Sequence, residues 1–194
     1  MSVRPLIVAV LAGVIAALSG LQAACAAEVK TLKVFRNHDT YHVIFDAVVD
    51  APAQKVYELL SDYAHLDRLT PAIVAITVQP TPWGAGQRVR SVLRSCFLAF
   101  CKDVVAVEDI TQSNEQTIVA EIVPGVGDFQ GGHSRWRIQA AGSRTQLYYE
   151  ATRIPRFWVP PLLGSWMIKA TMRNQLESSM ANLECAINEN AAVR

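Results

Sequence analysis

The sequence predicts an α+β domain: an antiparallel sheet of about seven strands with a long C-terminal helix. Three features carry that expectation. Residues 41–49 alternate with a period of two, six further strand-like segments between 72 and 154 follow one another without a helix, and beyond Pro160-Pro161 the apolar spacing becomes three or four.

Ahead of the domain, residues 1–27 read as a secretory signal, with one positive charge at Arg4, an apolar stretch from Leu6 to Leu18, and small residues leading to Cys25, Ala26 and Ala27. The apolar stretch is short for a bilayer core of about 30 Å. A periplasmic or secreted protein is therefore expected, with residues 28–194 as a single domain. Acylation at Cys25, the lipoprotein alternative, is disfavoured because Gln22 stands where a large aliphatic residue is required.

In the first strand Tyr41, Val43, Phe45, Ala47 and Val49 occupy one face and His42, Ile44, Asp46 and Val48 the other. Ala51-Pro52 opens a short amphipathic helix through Val56, Tyr57, Leu59 and Leu60 that ends near Asp62, and Leu66 to Leu69 add a turn stopped by Pro71. Candidate strands at 72–79, 87–97, 102–111, 116–123, 129–140 and 144–154 are punctuated by Trp83-Gly84-Ala85-Gly86, Ser113-Asn114 and Gly142-Ser143. Strands in such succession favour an antiparallel meander. Ile168, Met172, Leu176, Met180, Leu183 and Ile187 then form one apolar stripe along the terminal helix.

One hairpin can be registered from its side chains. With Cys96 opposite Cys101 across Phe97-Leu98-Ala99-Phe100, antiparallel pairing sets Arg94 against Asp103 and Arg88 against Asp109. Both charge pairs share the cysteines' face, which supports the register and, in an exported chain, a Cys96–Cys101 disulfide. The opposite face, expected to point inward, carries Val89, Ser91, Leu93 and Ser95 against Glu108, Ala106, Val104 and Lys102. Its small residues leave room beneath the sheet. Cys185 is expected as a buried free thiol.

Composition narrows the function. Without Arg4 the mature chain balances seventeen bases against seventeen acids and has no run of like charge, which argues against nucleic acid as a partner. Hydrophobic residues make up 51% and charged residues 18%, so much apolar surface must be hidden or hold an apolar ligand. The four histidines do not converge with other ligands, so no metal or other cofactor is expected.

The run Ala51-Pro52-Ala53-Gln54-Lys55-Val56-Tyr57, followed by Leu60, Asp62-Tyr63 and Leu66, resembles the opening of the polyketide cyclase/dehydrase and lipid-transfer (START-like, SRPBCC) superfamily, which includes coenzyme-Q-binding proteins. Thr145, Leu147 and Tyr149 before Pro155, with the long final helix, are similar to the same superfamily. The resemblance spans about residues 41–187. It implies a helix-grip fold, a sheet curved around the terminal helix over a cavity for a lipid, isoprenoid or polyketide-like molecule. Only some members of the superfamily catalyse a reaction.

On this reading the expected ligand-binding residues are Ser91, Leu93, Ala106 and Glu108 of the hairpin, Trp136 and Tyr149 on later strands, and Trp166, Ile168, Met172 and Leu176 of the helix. Glu108 can meet a ligand head group or pair with a nearby base. The hairpin tip carries Phe97, Leu98 and Phe100 where Gly, Asn or Asp is usual; with Phe157 and Trp158 it forms either a lid or a greasy rim for a membrane surface or envelope protein. A non-catalytic carrier is the first functional expectation. A cyclase or dehydratase using Glu108 or Tyr149 and an interaction module acting through the tip are the alternatives.

Overall fold

The computed structural model describes residues 27–97, 100–114, 116–158 and 161–192. Strands β1 (Glu28–Asn37) and β2 (Thr40–Val49) precede helix α1 (Ala53–Ser61) and a 3-10 segment, Tyr63–Arg68. Then come β3 (Ile73–Pro80), β4 (Gln87–Phe97), β5 (Phe100–Asn114), β6 (Thr117–Ile122), β7 (Phe129–Ala141) and β8 (Arg144–Pro155), before helix α2 (Pro161–Ala192). All eight strands form one open antiparallel sheet in the order β1-β2-β8-β7-β6-β5-β4-β3. With the long terminal helix this is the helix-grip architecture.

The sheet has one strand more than the seven expected. In β1 the pairing shifts register between Val29 and Thr31, so the two-residue alternation breaks near its start and hides the strand from pattern reading. The β4–β5 hairpin follows the register read from its charges. Cys96 pairs Cys101, Arg94 pairs Asp103 and Arg88 pairs Asp109, and the disulfide is present. Arg88 holds Asp109 through two bonds of 2.7 and 2.8 Å, and Arg94 holds Asp103 through two of 2.8 Å. Cys185 corrects the free-thiol expectation, for it is disulfide-bonded, and its partner lies outside the described residues.

Pro52 caps α1 in an extended conformation, and its carbonyl accepts from Lys55 and Val56, because proline's fixed φ suits a helix start and its missing N–H costs nothing there. The core lies between the inner sheet face and the second half of α2, where Phe45, Val49, Val56, Ile138, Leu147 and Leu183 are fully buried. Polar ties fix the helix over the sheet. Glu184 accepts from the backbone N–H of Asp50 at 2.8 Å, and Asn182 donates to the carbonyl of Leu69 at 3.0 Å. Thr70 and Ser179 join hydroxyls at 2.9 Å. These bonds hold the α1 side of the domain against α2 and frame the space beneath them.

Candidate functional site

Beneath α2 the inner sheet face does not close completely. A recess of about 180 Å³ lies between Ile110, Ala120 and Trp136 of the sheet, Leu60 and Leu66 on the α1 side, and Leu176 and Met180 of α2. Two-residue periodicity places these strand side chains on the concave face, and the four-residue step from Leu176 to Met180 puts both on one side of the helix. The walls are mostly apolar. Trp136 and Tyr149 are paired across β7 and β8, and their rings lie 4.3 Å apart at a tilt of 31°.

One end of the recess is polar. Arg153 Nη2 donates to Glu108 Oε1 at 2.5 Å, each side chain about one-fifth exposed, and the same nitrogen lies 3.5 Å from the Ser134 hydroxyl. Glu108 stands on β5 and Arg153 on β8, with β6 and β7 between them. Flat strands would hold those backbones about 14 Å apart. The ion pair forms because the sheet is concave and the tips of inward side chains converge. Gly132, opposite Arg153 in the ladder, has φ +146°, and a Cβ there would strike the carbonyl oxygen of Thr152. Arg153 Nη1 donates to the carbonyls of His133 and Thr152 at 3.0 and 2.9 Å.

The electrostatics follow from burial and charge. Burial pushes the Tyr149 phenol above the ordinary tyrosine range and the Glu108 charge adds to that, while Arg153 and a hydrogen bond with Ser134 pull the other way. Tyr149 is therefore a hydrogen-bond donor at neutral pH. Burial opposes the charge of Arg153, but Glu108 foremost outweighs it and keeps the guanidinium firmly protonated.

The structure brings together four of the expected ligand-binding residues, Glu108, Trp136, Tyr149 and Leu176. Ser91, Leu93 and Ala106 do not line the recess. They share the inner face, but each two-residue step along a strand advances about 6.6 Å, and the Glu108–Arg153 pair crosses the sheet before they are reached. Met172 is half-buried on α2 one turn short of the wall. The side chains of Trp166 and Ile168 lie outside the described residues, as do residue Leu98 and the side chains of Phe97 and Phe100. Phe157 is packed rather than free, edge-on to Phe129 at 6.4 Å and under Lys102 Nζ at 3.8 Å, whereas Trp158 is 78% exposed. Sequence reasoning missed Arg153 and Ser134. The signal was available for the first: Thr145, Leu147, Tyr149 and Ala151 all point inward, and Arg153 continues that parity as a charge in an inward row.

Among the described residues no cluster of His, Cys, Asp or Glu is placed to hold a metal, and no helix is long and apolar enough to cross a membrane. The arrangement suits retention of an apolar molecule whose polar end meets a hydroxyl donor beside an ion pair.

Comparison with known proteins agrees with this architecture. The family model for polyketide cyclase/dehydrase and lipid transport matches residues 42–187. No curated protein sequence matches the chain. Among solved structures, a protein of Thermus thermophilus is similar at 21% identity and a TM-score of 0.61, over 77% of this chain and 98% of that one. A START superfamily protein from Mycobacterium smegmatis is similar at 19% identity and 0.60, over 76% and 97%. The Zhui aromatase/cyclase of Streptomyces sp. R1128 is similar at 16% identity and 0.60, over 78% and 96%. At these identities the likeness is one of fold.

Proposed function

The chain belongs to the polyketide cyclase/dehydrase and lipid-transport family, and from that premise we propose that it binds a hydrophobic small molecule between sheet and α2 and carries it without altering it. The observation that supports this best is the recess itself. Mostly apolar walls from three directions meet the polar group around Glu108 and Arg153, and burial of ligand surface at about 25 cal/mol per Å² supplies the affinity. With its pKa raised by burial, Tyr149 stays a phenol and a weak acid, and Glu108 is engaged by Arg153, which favours holding over proton transfer. Native mass spectrometry of protein taken from its own compartment tests the reading. A co-purifying apolar adduct is expected, and a clean apo mass after gentle handling refutes it.

The carrier works outside the cytoplasm, after removal of a leader that contains Leu6 to Leu18, in an oxidising setting that suits the disulfide-bonded Cys96, Cys101 and Cys185. Amino-terminal sequencing of the mature protein checks this, and retention of Leu6 to Leu18 overturns it. Its membrane-facing end is where β8 runs towards α2. Trp158 and Val126 are 78% and 60% exposed there, with Lys102 and Arg156 close by. Exposed aromatic surface beside basic groups suits an anionic bilayer. Trp158→Ser should weaken vesicle association and spare ligand retention; unchanged association removes the membrane role.

The convergence of Tyr149, Ser134 and the ion pair favours one alternative, a cyclase- or dehydratase-type enzyme. Under that reading Tyr149→Phe abolishes turnover of the adduct compound. Under the carrier reading the compound is recovered unchanged from wild type and variant alike.

A further inference from the structure

We propose that Glu108 selects the charge of the ligand: by occupying Arg153 it makes the recess a site for an uncharged, compact ring compound bearing a hydrogen-bond acceptor, and excludes carboxylates. This rests on the reading that the recess binds a ligand and adds which kind.

Charge comes first. Among the described residues Glu108 is the one carboxylate and Arg153 the one cationic group on the wall, so the recess is neutral as built. Arg153 Nη2 is spent on Glu108, and Nη1 on the carbonyls of His133 and Thr152. An entering carboxylate would find these donors engaged and a like charge beside it, in a place where desolvation makes both costly. The Tyr149 and Ser134 hydroxyls bond each other, which leaves one hydroxyl hydrogen to offer a ligand, and that donor matches a neutral oxygen such as a ketone.

Size and shape come second. A hollow of about 180 Å³ exceeds the roughly 150 Å³ that admits a benzene-sized guest. It falls short of the roughly 300 to 1,000 Å³ usual for drug-sized ligands. Within the described walls one or two rings fit. Trp136 and Tyr149 give such a guest an aromatic wall on which to stack.

A matched pair of probes separates charge from size: 2-acetonaphthone, a neutral ketone, and 2-naphthoate, its anion of nearly equal shape. Titration calorimetry on the full mature chain should show the ketone bound at least ten-fold more tightly. Glu108→Gln frees Arg153 and should shift the preference at least ten-fold towards naphthoate. The doubly neutral Glu108→Gln, Arg153→Gln variant should lose that gain and still bind the ketone. Should Glu108→Gln fail to fold, Arg153→Gln provides the reciprocal test, because the unpaired Glu108 should then favour 2-naphthylmethylamine, a cation. Equal binding of ketone and naphthoate by the wild type, or a ratio that neither single variant moves, overturns the proposal. So does failure of both probes to bind, and the native-mass adduct then decides separately whether the carrier reading survives.

Discussion

Ala120 offers a direct measure of whether the recess is empty space, since it is buried on β6 and borders the hollow of about 180 Å³. Ala120→Leu places three more carbons in it. At about 0.8 kcal/mol per buried methylene, the gain is up to about 2 kcal/mol. For a domain of this size that corresponds to a rise in Tm of roughly 4–8 °C. In a solidly packed interior the same substitution would instead cost about 1–3 kcal/mol through strain. Differential scanning calorimetry of the ligand-free protein reads the sign. A higher Tm together with lost ligand retention is the expected result. A lower Tm, with retention unchanged, would refute both the hollow and its role.

Removing the Cys96–Cys101 bridge by a double alanine substitution should cost about 2 kcal/mol in urea denaturation, because the closed loop is short. The comparison is made without reductant, which would also act on Cys185. Asp109→Ala strands the half-buried Arg88 and should cost about 1–3 kcal/mol. Asp103→Ala breaks the equivalent but exposed pair with Arg94, and should cost clearly less than Asp109→Ala. The Tyr149 phenol, with its pKa raised by burial, should be the late component of a phenolate absorbance titration, and Tyr149→Phe should remove that component. Its folded-state pKa exceeds the unfolded value, so its contribution to stability is complete below about pH 10 and declines as pH rises towards the folded value. An early Tyr149 component would contradict its placement.

Residues close in sequence spoke clearly about their partners. In the β4–β5 hairpin the two-residue period, two charge pairs and two cysteines all demand one register, because a slip by one residue would turn every one of them to the wrong face. The stripe from Leu176 to Ile187 likewise announced the face that α2 buries, since helical spacing brings those side chains into line without help from the rest of the chain. β1 was illegible because its bulge breaks the period within the strand's first few residues. Ser91, Leu93 and Ala106 were assigned the correct face, but parity says nothing of where along that face a cavity stops.

Local pattern in the chain was enough for the class of the fold, the terminal helix and the disulfide hairpin, and the family resemblance named four of the residues that meet beneath α2. That Glu108 belongs to Arg153, 45 residues away and across two intervening strands, emerges only when the sheet is assembled. Strand periodicity assigns a side chain to one of two faces. Which inward side chains touch depends on the curvature of the whole sheet, and that curvature is a property of eight strands twisting together around a helix.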